Sequence, residues 1–270
     1  MRNRRAIVGA IYGRGALSIS QQIGCEVDFA QEFLDGHAAG FPDMYKFIYE
    51  VMNKAMIEGY METANGRLYF HDPSKWKDQQ YGKTKKVKYN GKSRNVPVNE
   101  WSHARRTYSN YIAQGPASDL ASLALAALHR DLYDYDTGEK KIFDGTGEHY
   151  HSIPFNFVHD SLMIDTYLPE VFSIMDLTKR AIEVKSAKLN KYWMDLPIEA
   201  DCEIGFSWGE LLEVKSWDSS KNTMTIFGEE SKFKSFYRRL RNMMHGAVKH
   251  KIVDKNEDSE VTVKIKLQFN

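Results

Sequence analysis

The period of apolar and polar positions changes several times along the chain, and each change marks an element. Residues 2–12 read as a helix stopped by Gly13 and Gly15. In Val27–Ala39 and Met44–Glu58, Phe29, Phe33 and Leu34, then Phe47, Ile48 and Val51, fall at helical spacing, and Pro42 marks the second start. Gly59–Phe70 predicts a hairpin, Tyr60–Thr63 with Arg67–Phe70 about an Asn65-Gly66 turn. A second hairpin, Lys85–Tyr89 with Lys92–Val96, turns at Asn90-Gly91 inside a polar stretch covering residues 73–98. Residues 99–133 predict a long helix. Its Leu120, Leu123, Leu125, Ala127 and Leu128 spread around the circumference, which implies burial on several sides.

Beyond a loop containing Gly138, Gly145 and Gly147, Ile153, Phe155 and Phe157 alternate, and so do Leu162 and Ile164. This is a hairpin with His159-Asp160 near its tip. Leu168–Asn190 reads as one helix, with Pro169 in its first turn. Then come a strand at Thr223–Phe227, a basic helix at Ser231–Met244, a charged linker at Lys255–Glu260 and strict alternation over Val261–Phe269. No internal repeat or long low-complexity segment interrupts the pattern.

At 270 residues the chain can build one large domain or two smaller ones. Its 37 basic and 36 acidic residues nearly cancel, so net charge points to no partner; their distribution says more. Between Lys75 and Arg106 ten basic residues face only Asp78 and Glu100, with Trp76, Tyr81, Tyr89 and Trp101 interleaved. That run, like the basic helix carrying Lys232, Lys234, Arg238, Arg239 and Arg241, is either a solvated face or a nucleic-acid contact. Cys25 and Cys202 lack metal-ligand spacing and read as reduced thiols. The basic N-terminus has no apolar core of signal length, and the longest apolar run, Leu120–Leu128, is too short to span a bilayer. A soluble cytoplasmic protein without a membrane partner is expected.

Two places invite chemistry. Arg4, Val8 and Tyr12 fall at i, i+4 and i+8, so they share one helix face. Such a face can hold phosphate on the arginine while small and aromatic residues accommodate sugar and base; it can equally be a surface helix with a basic first turn. The His159-Asp160 pair is a charged tip that packing does not require. Asp165, five residues on, is either a nearby second carboxylate or a solvated edge residue, and His149 and His151 beside Glu148 fit a surface loop better than a metal cluster.

Three strings occur in a fixed order: RNRRAIVGAIYGRGA at 2–16, QGPASD at 114–119 and VHDSL at 158–162. Together they resemble the C-terminal half of a family A (Pol I-like) DNA polymerase. Residues 42–70, ending in a GY-x-ET-x-x-GR pattern, resemble the passage from the later fingers helices into the palm. Residues 106–125 resemble the helix that meets the primer–template minor groove, and residues 194–214 the family's C-terminal ending.

The resemblance implies an α+β fold: a partial fingers subdomain at 1–58, an antiparallel palm at 59–214 with the basic insertion at 73–98, and a C-terminal extension at 215–270. It implies template-directed addition of deoxynucleotides (dNTPs) to a primer 3′-hydroxyl with two magnesium ions. Arg4 then holds the triphosphate in place of the usual lysine, Val8 stands where an aromatic ring usually packs on the sugar, and Tyr12 completes the nucleotide site. Gly13, Arg106, Asn110, Gln114 and His159 contact DNA, and Asp160 ligates metal. Ser161 replaces the family's usual glutamate; His-Asp-Ser is also the pattern of single-subunit phage-type RNA polymerases. The family's other carboxylate motif precedes the first helix. The chain is therefore expected to supply half of an active site, to be inactive alone, and to need an N-terminal polymerase chain carrying the other carboxylate. A non-catalytic nucleic-acid-binding fragment, or part of a single-subunit RNA polymerase, is the alternative.

Overall fold

The computed structural model describes residues 2–79, 82–133, 141, 149–158, 161–189 and 197–269. The chain divides into two compact units, Met1–Asp119 and Leu120–Asn270.

The first unit opens with four helices: α1 (Arg2–Ile11), α2 (Ala16–Ile23), α3 (Val27–Gly40) and α4 (Pro42–Glu58). The sequence pattern does not announce α2, because serines and glutamines dilute its short apolar stripe. Gly15 caps its start and Gly24, left-handed at φ 70°, its end, while Ile19 is buried against Ala6 and Ala30. The predicted hairpins form as β1 (Tyr60–Glu62) with β2 (Leu68–Phe70) and β3 (Thr84–Tyr89) with β4 (Lys92–Pro97). Asn90 and Gly91 both take positive φ, 46° and 75°, as a two-residue turn of this hand demands. Val87 and Val96 face inward and join Met52, Ala55, Met56, Met61, Ala104 and Tyr108 in the larger core of this unit. The last two come from α5 (Val98–Leu132).

The second unit holds the hairpin β5 (Ile153–Val158) and β6 (Ser161–Asp165), bulged between Pro154 and Asn156. The single helix expected over 168–190 is instead a 3-10 turn at Leu168–Glu170, α6 (Val171–Arg180), a π-helical turn at Ala181–Lys185 and α7 (Ser186–Leu189). In the widened turn the Ser186 hydroxyl donates back to the Ile182 carbonyl. Five strands then form one antiparallel sheet: β7 (Cys202–Ile204), β8 (Leu212–Asp218), β9 (Thr223–Glu229), β10 (Val248–Lys255) and β11 (Glu260–Leu267), in the order β10-β11-β9-β8-β7. One sheet face buries Leu212, Val214, Met224, Ile226, Val261, Val263, Ile265 and Leu267. Against it lie Phe233, Phe236 and Leu240 of α8 (Glu230–Met243) and Val171, Phe172 and Met175 of α6.

Two of these strands left no alternating signal. A bulge between Val214 and Ser216 breaks the period of β8, and β10 is an edge strand in which only Val248 is buried. Positions 214 and 215 lie inside β8, so strands on both sides of that point share one sheet. The architecture is the expected mixture of helices and antiparallel sheets. No helix among the described residues is long and apolar enough to cross a membrane.

Because Ile265 is fully buried in this shared core, Ile265→Ala should destabilise the second unit by about 2–5 kcal/mol. Hydrogen exchange should then quicken at Val214 as well as Ile226; protection at Val214 that stays unchanged would separate the strand from the sheet behind it.

Candidate functional site

In the first unit, α1 carries three arginines in its first turn and no acid. Arg4 lies on this helix; Val8 is 43% exposed, and Tyr12, half-buried just past the end, still donates its amide to the Val8 carbonyl at 3.1 Å. Val8 and Tyr12 therefore follow the expected helical path. Gly13 takes φ 73°, and a side chain there would meet Arg105 of α5, whose Cγ and Nε lie 3.2 Å from the position of an added Cβ. The Arg105 guanidinium also lies 5.8 Å from the Tyr49 and Trp101 rings. Gly13 is thus a seat for Arg105, a residue the sequence offered only as one member of a basic run.

The strongest local arrangement joins two motifs that are far apart in sequence. Asp119 is buried, and its carboxylate pairs with Arg67 while accepting the Thr63 hydroxyl and the Asn65 side-chain amide, each at 3.3 Å. All three partners belong to the turn between β1 and β2. The Arg67 amide in turn donates to the Thr63 hydroxyl at 3.2 Å. One turn earlier in α5, Gly115 allows close approach: an added Cβ would lie 2.8 Å from the Thr63 methyl. Tyr69 stacks on Tyr111 with centroids 4.0 Å apart. The GY-x-ET-x-x-GR hairpin and the QGPASD segment are one packed unit.

That packing orients the opposite side of α5. Arg106 and Gln114 are exposed along it, and Asn110 between them is half-buried, its side-chain oxygen without a hydrogen-bond partner among the described residues. Behind the helix, His71 is held between Tyr108, 2.8 Å from Nδ1, and Glu100, 2.8 Å from Nε2. A carboxylate accepts, so Nε2–H donates to Glu100, while Nδ1 shares a hydrogen bond with the Tyr108 hydroxyl. Arg94 of β4 completes the ion pair with Glu100, and burial raises the Tyr108 hydroxyl pKa far above its ordinary value.

In the second unit the β5–β6 register ends at the pair Val158↔Ser161. His159 and Asp160, between them, lie outside the described residues. Asp165 is exposed and pairs with Ile153 at the other end of the hairpin. Four residues of extended strand put it roughly 13 Å from Ser161, which fits a solvated edge residue. The base of the hairpin is clamped by Glu170. This carboxylate, 1% exposed, accepts the amides of His151 and Ser152 at 2.8 and 2.9 Å, the Ser152 hydroxyl at 2.6 Å and His151 Nδ1 at 3.3 Å. The Ser152 hydroxyl also accepts the Tyr167 amide at 3.0 Å. Burial is the largest single influence and pushes the Glu170 pKa up, but the four hydrogen bonds together outweigh it and hold the net value below the ordinary 4.5. His151 is thus part of a structural clamp, and among the described residues no cluster of three or more His, Cys, Asp or Glu side chains is placed to hold a metal. Sequence reasoning passed over Glu170 and Asp119; the available signals were an acid beside Pro169 at a helix start, and an acid opening an apolar stretch.

Against known proteins, the family model for DNA polymerase family A matches residues 2–210. The chain is 26% identical over 203 residues to the thermostable DNA polymerase I of Thermus filiformis, covering 75% of this chain and 19% of that protein. It is 22% identical over 210 residues to DNA polymerase I of Chloroflexus aurantiacus, covering 77% and 18%. The fold is similar to that of the polymerase domain of Pol1 from M. smegmatis, solved with DNA primer-template and dNTP. The TM-score there is 0.52 at 19% identity, over 73% of this chain and 28% of that one. The chain belongs to DNA polymerase family A. It spans about a fifth of the length of the curated relatives it matches.

Two measurements probe the packing. Gly115→Ala should push α5 off the hairpin and destabilise the first unit by about 1–3 kcal/mol, read by denaturant unfolding; an unchanged midpoint would mean that Thr63 yields freely. For Glu170, a depressed folded-state pKa gives stability that is fully present above the ordinary 4.5 and is lost as pH falls through the folded value. Melting temperature of the wild type should drop on acidification below about pH 4.5, and Glu170→Gln should flatten that part of the profile. Parallel profiles would remove Glu170 from the account.

Proposed function

We propose that these 270 residues form part of a template-directed DNA polymerase, holding the incoming nucleotide on α1 and the primer–template along α5. The observation that carries this reading is the Asp119–Gly115 junction: it fixes the hairpin to α5 and leaves Arg106, Asn110 and Gln114 along one accessible helix face. An arginine and two amides at that spacing suit minor-groove acceptors and sugar oxygens.

Nucleotidyl transfer depends on positioning and charge neutralisation rather than on covalent chemistry with the protein. Arg4 neutralises triphosphate oxygens, and its planar fork grips two oxygens where a lysine would offer a point charge. Val8 supplies a small apolar surface to sugar and base, and Tyr12 continues that surface at the helix end. His159 is assigned to the primer terminus, and Gly13, beside Arg105, to a DNA contact. The Asp160 carboxylate is a hard oxygen donor of the kind magnesium prefers. Magnesium, when bound, lowers the pKa of the attacking hydroxyl and neutralises the leaving phosphates. One carboxylate does not hold a two-metal site, so the second comes from polypeptide outside these residues, whether continuous with them or a separate N-terminal chain.

The test is primer extension. The 270-residue chain, given primer–template, dNTPs and Mg²⁺, should make no product above a blank. Adding a polypeptide that carries the upstream polymerase carboxylate motif should restore synthesis, and Asp160→Asn should lower the restored rate at least about a hundredfold. Robust extension by the chain alone, or a near-normal rate with Asp160→Asn, would overturn the reading.

A further inference from the structure

The five-stranded sheet has a second face that the core does not use. Val248, Ile265, Val263 and Leu267 turn toward α8, so the alternate positions on β10 and β11 point the other way. Four of those positions are lysines: Lys249 directly opposite Lys266, and Lys251 directly opposite Lys264. All four are exposed, and none makes an ion pair among the described residues. Thr223 and Thr225 of β9 pair with Lys266 and Lys264 and extend the surface sideways.

Like charges placed directly across a ladder repel and weaken the sheet. Lysines on an outer strand are a common guard against edge-to-edge pairing, and that explanation covers β10. It does not cover Lys264 and Lys266, because β11 is flanked on both sides by β10 and β9. None of the acids on the same face forms an ion pair with the quartet among the described residues. Asp218, level with Lys266 across Thr223, is engaged by Lys221, and Glu213 by Lys215. Asp254 accepts the Lys255 amide, Glu229 and Glu260 lie opposite each other at the far end of the sheet, and Glu203 of β7 lies opposite Glu213. On α8, by contrast, Lys232, Lys234 and Arg239 are matched by Glu229, Glu230 and Glu210.

We propose that the lysine face of β10 and β11 is a docking surface for the phosphate backbone of duplex DNA. Two rows of ammonium groups, roughly 7 Å apart along each strand and roughly 5 Å across the ladder, offer a flat field that several successive phosphates can share. Threonine hydroxyls beside them donate to the same oxygens. The aromatic ring on this face, Phe227, lies under the Lys215 ammonium at 5.1 Å, so the surface lacks an open base-stacking platform and favours duplex over single strand. The surface belongs to residues beyond the family match, which ends at 210, and its function does not depend on nucleotidyl transfer.

The experiment measures binding of the 270-residue chain to a 24-base-pair duplex between about 50 and 200 mM salt. Replacing Lys249, Lys251, Lys264 and Lys266 together by glutamine should weaken binding and flatten the slope of log K against log salt by about two to four units. The same variant should melt no lower than the wild type, since it removes two repulsive pairs; this separates lost contact from lost fold. Arg238→Gln with Arg241→Gln on α8 should leave the slope unchanged. An unaltered slope in the quadruple variant, or a slope lost only in the α8 variant, overturns the proposal. So does a quadruple variant that keeps duplex affinity but loses binding to phosphatidylserine vesicles, an outcome that would assign the face to an anionic membrane. Primer extension plays no part in the readout, so failure of the polymerase reading and failure of this one are distinguishable.

Discussion

Among the described residues three two-stranded ribbons stand outside the five-stranded sheet, and a buried carboxylate engages each at its turn, strand or base. A lone hairpin is marginal in water, so it needs an external anchor. Asp119 takes hold of the β1–β2 turn through Arg67, Thr63 and Asn65. Glu100 engages β4 through Arg94 and bridges to His71. Glu170 receives four donors from the two residues that lead into β5. A buried acid is unfavourable unless partnered, and each of these three finds its partners on or beside the ribbon it meets. The surfaces proposed for nucleotide and primer are displayed by elements fixed in this way, and the β5–β6 hairpin stands on the Glu170 clamp.

Much of this was legible. Helices α1, α3, α4 and α5 follow from spacing and glycine stops, and the Asn65-Gly66 and Asn90-Gly91 pairs locate both hairpins of the first unit. Family membership came from the order of three short strings and is borne out by the match over residues 2–210. The strands that escaped did so for physical reasons. A bulge shifts the period of β8 midway, and β10 buries one residue of eight, so neither shows a two-residue repeat. Helix α2 is eight residues long and half polar.

The site was legible in type rather than in contact. Spacing put Arg106, Asn110 and Gln114 on one side of a helix, but not that Asn110 would bury an acceptor that finds no partner among the described residues. It also marked Gly13 as a turn, but not that its open Cα would be met by Arg105, a residue distant in sequence. Long-range partners of this kind, like the Asp119 junction, are set by tertiary packing and leave no periodic trace.

Strand β8 carries one more consequence. Its residues Leu212 and Val214 are covered by β9, β11 and α8, all supplied by later sequence. A chain ended at 214 would leave these residues, with Val171, Phe172 and Met175, facing water beside an unpaired strand edge. Such an edge recruits other chains. Residues 215–270 therefore complete the sheet that β7 and β8 begin, and trimming the chain at 214 would expose that apolar face and strand edge to water.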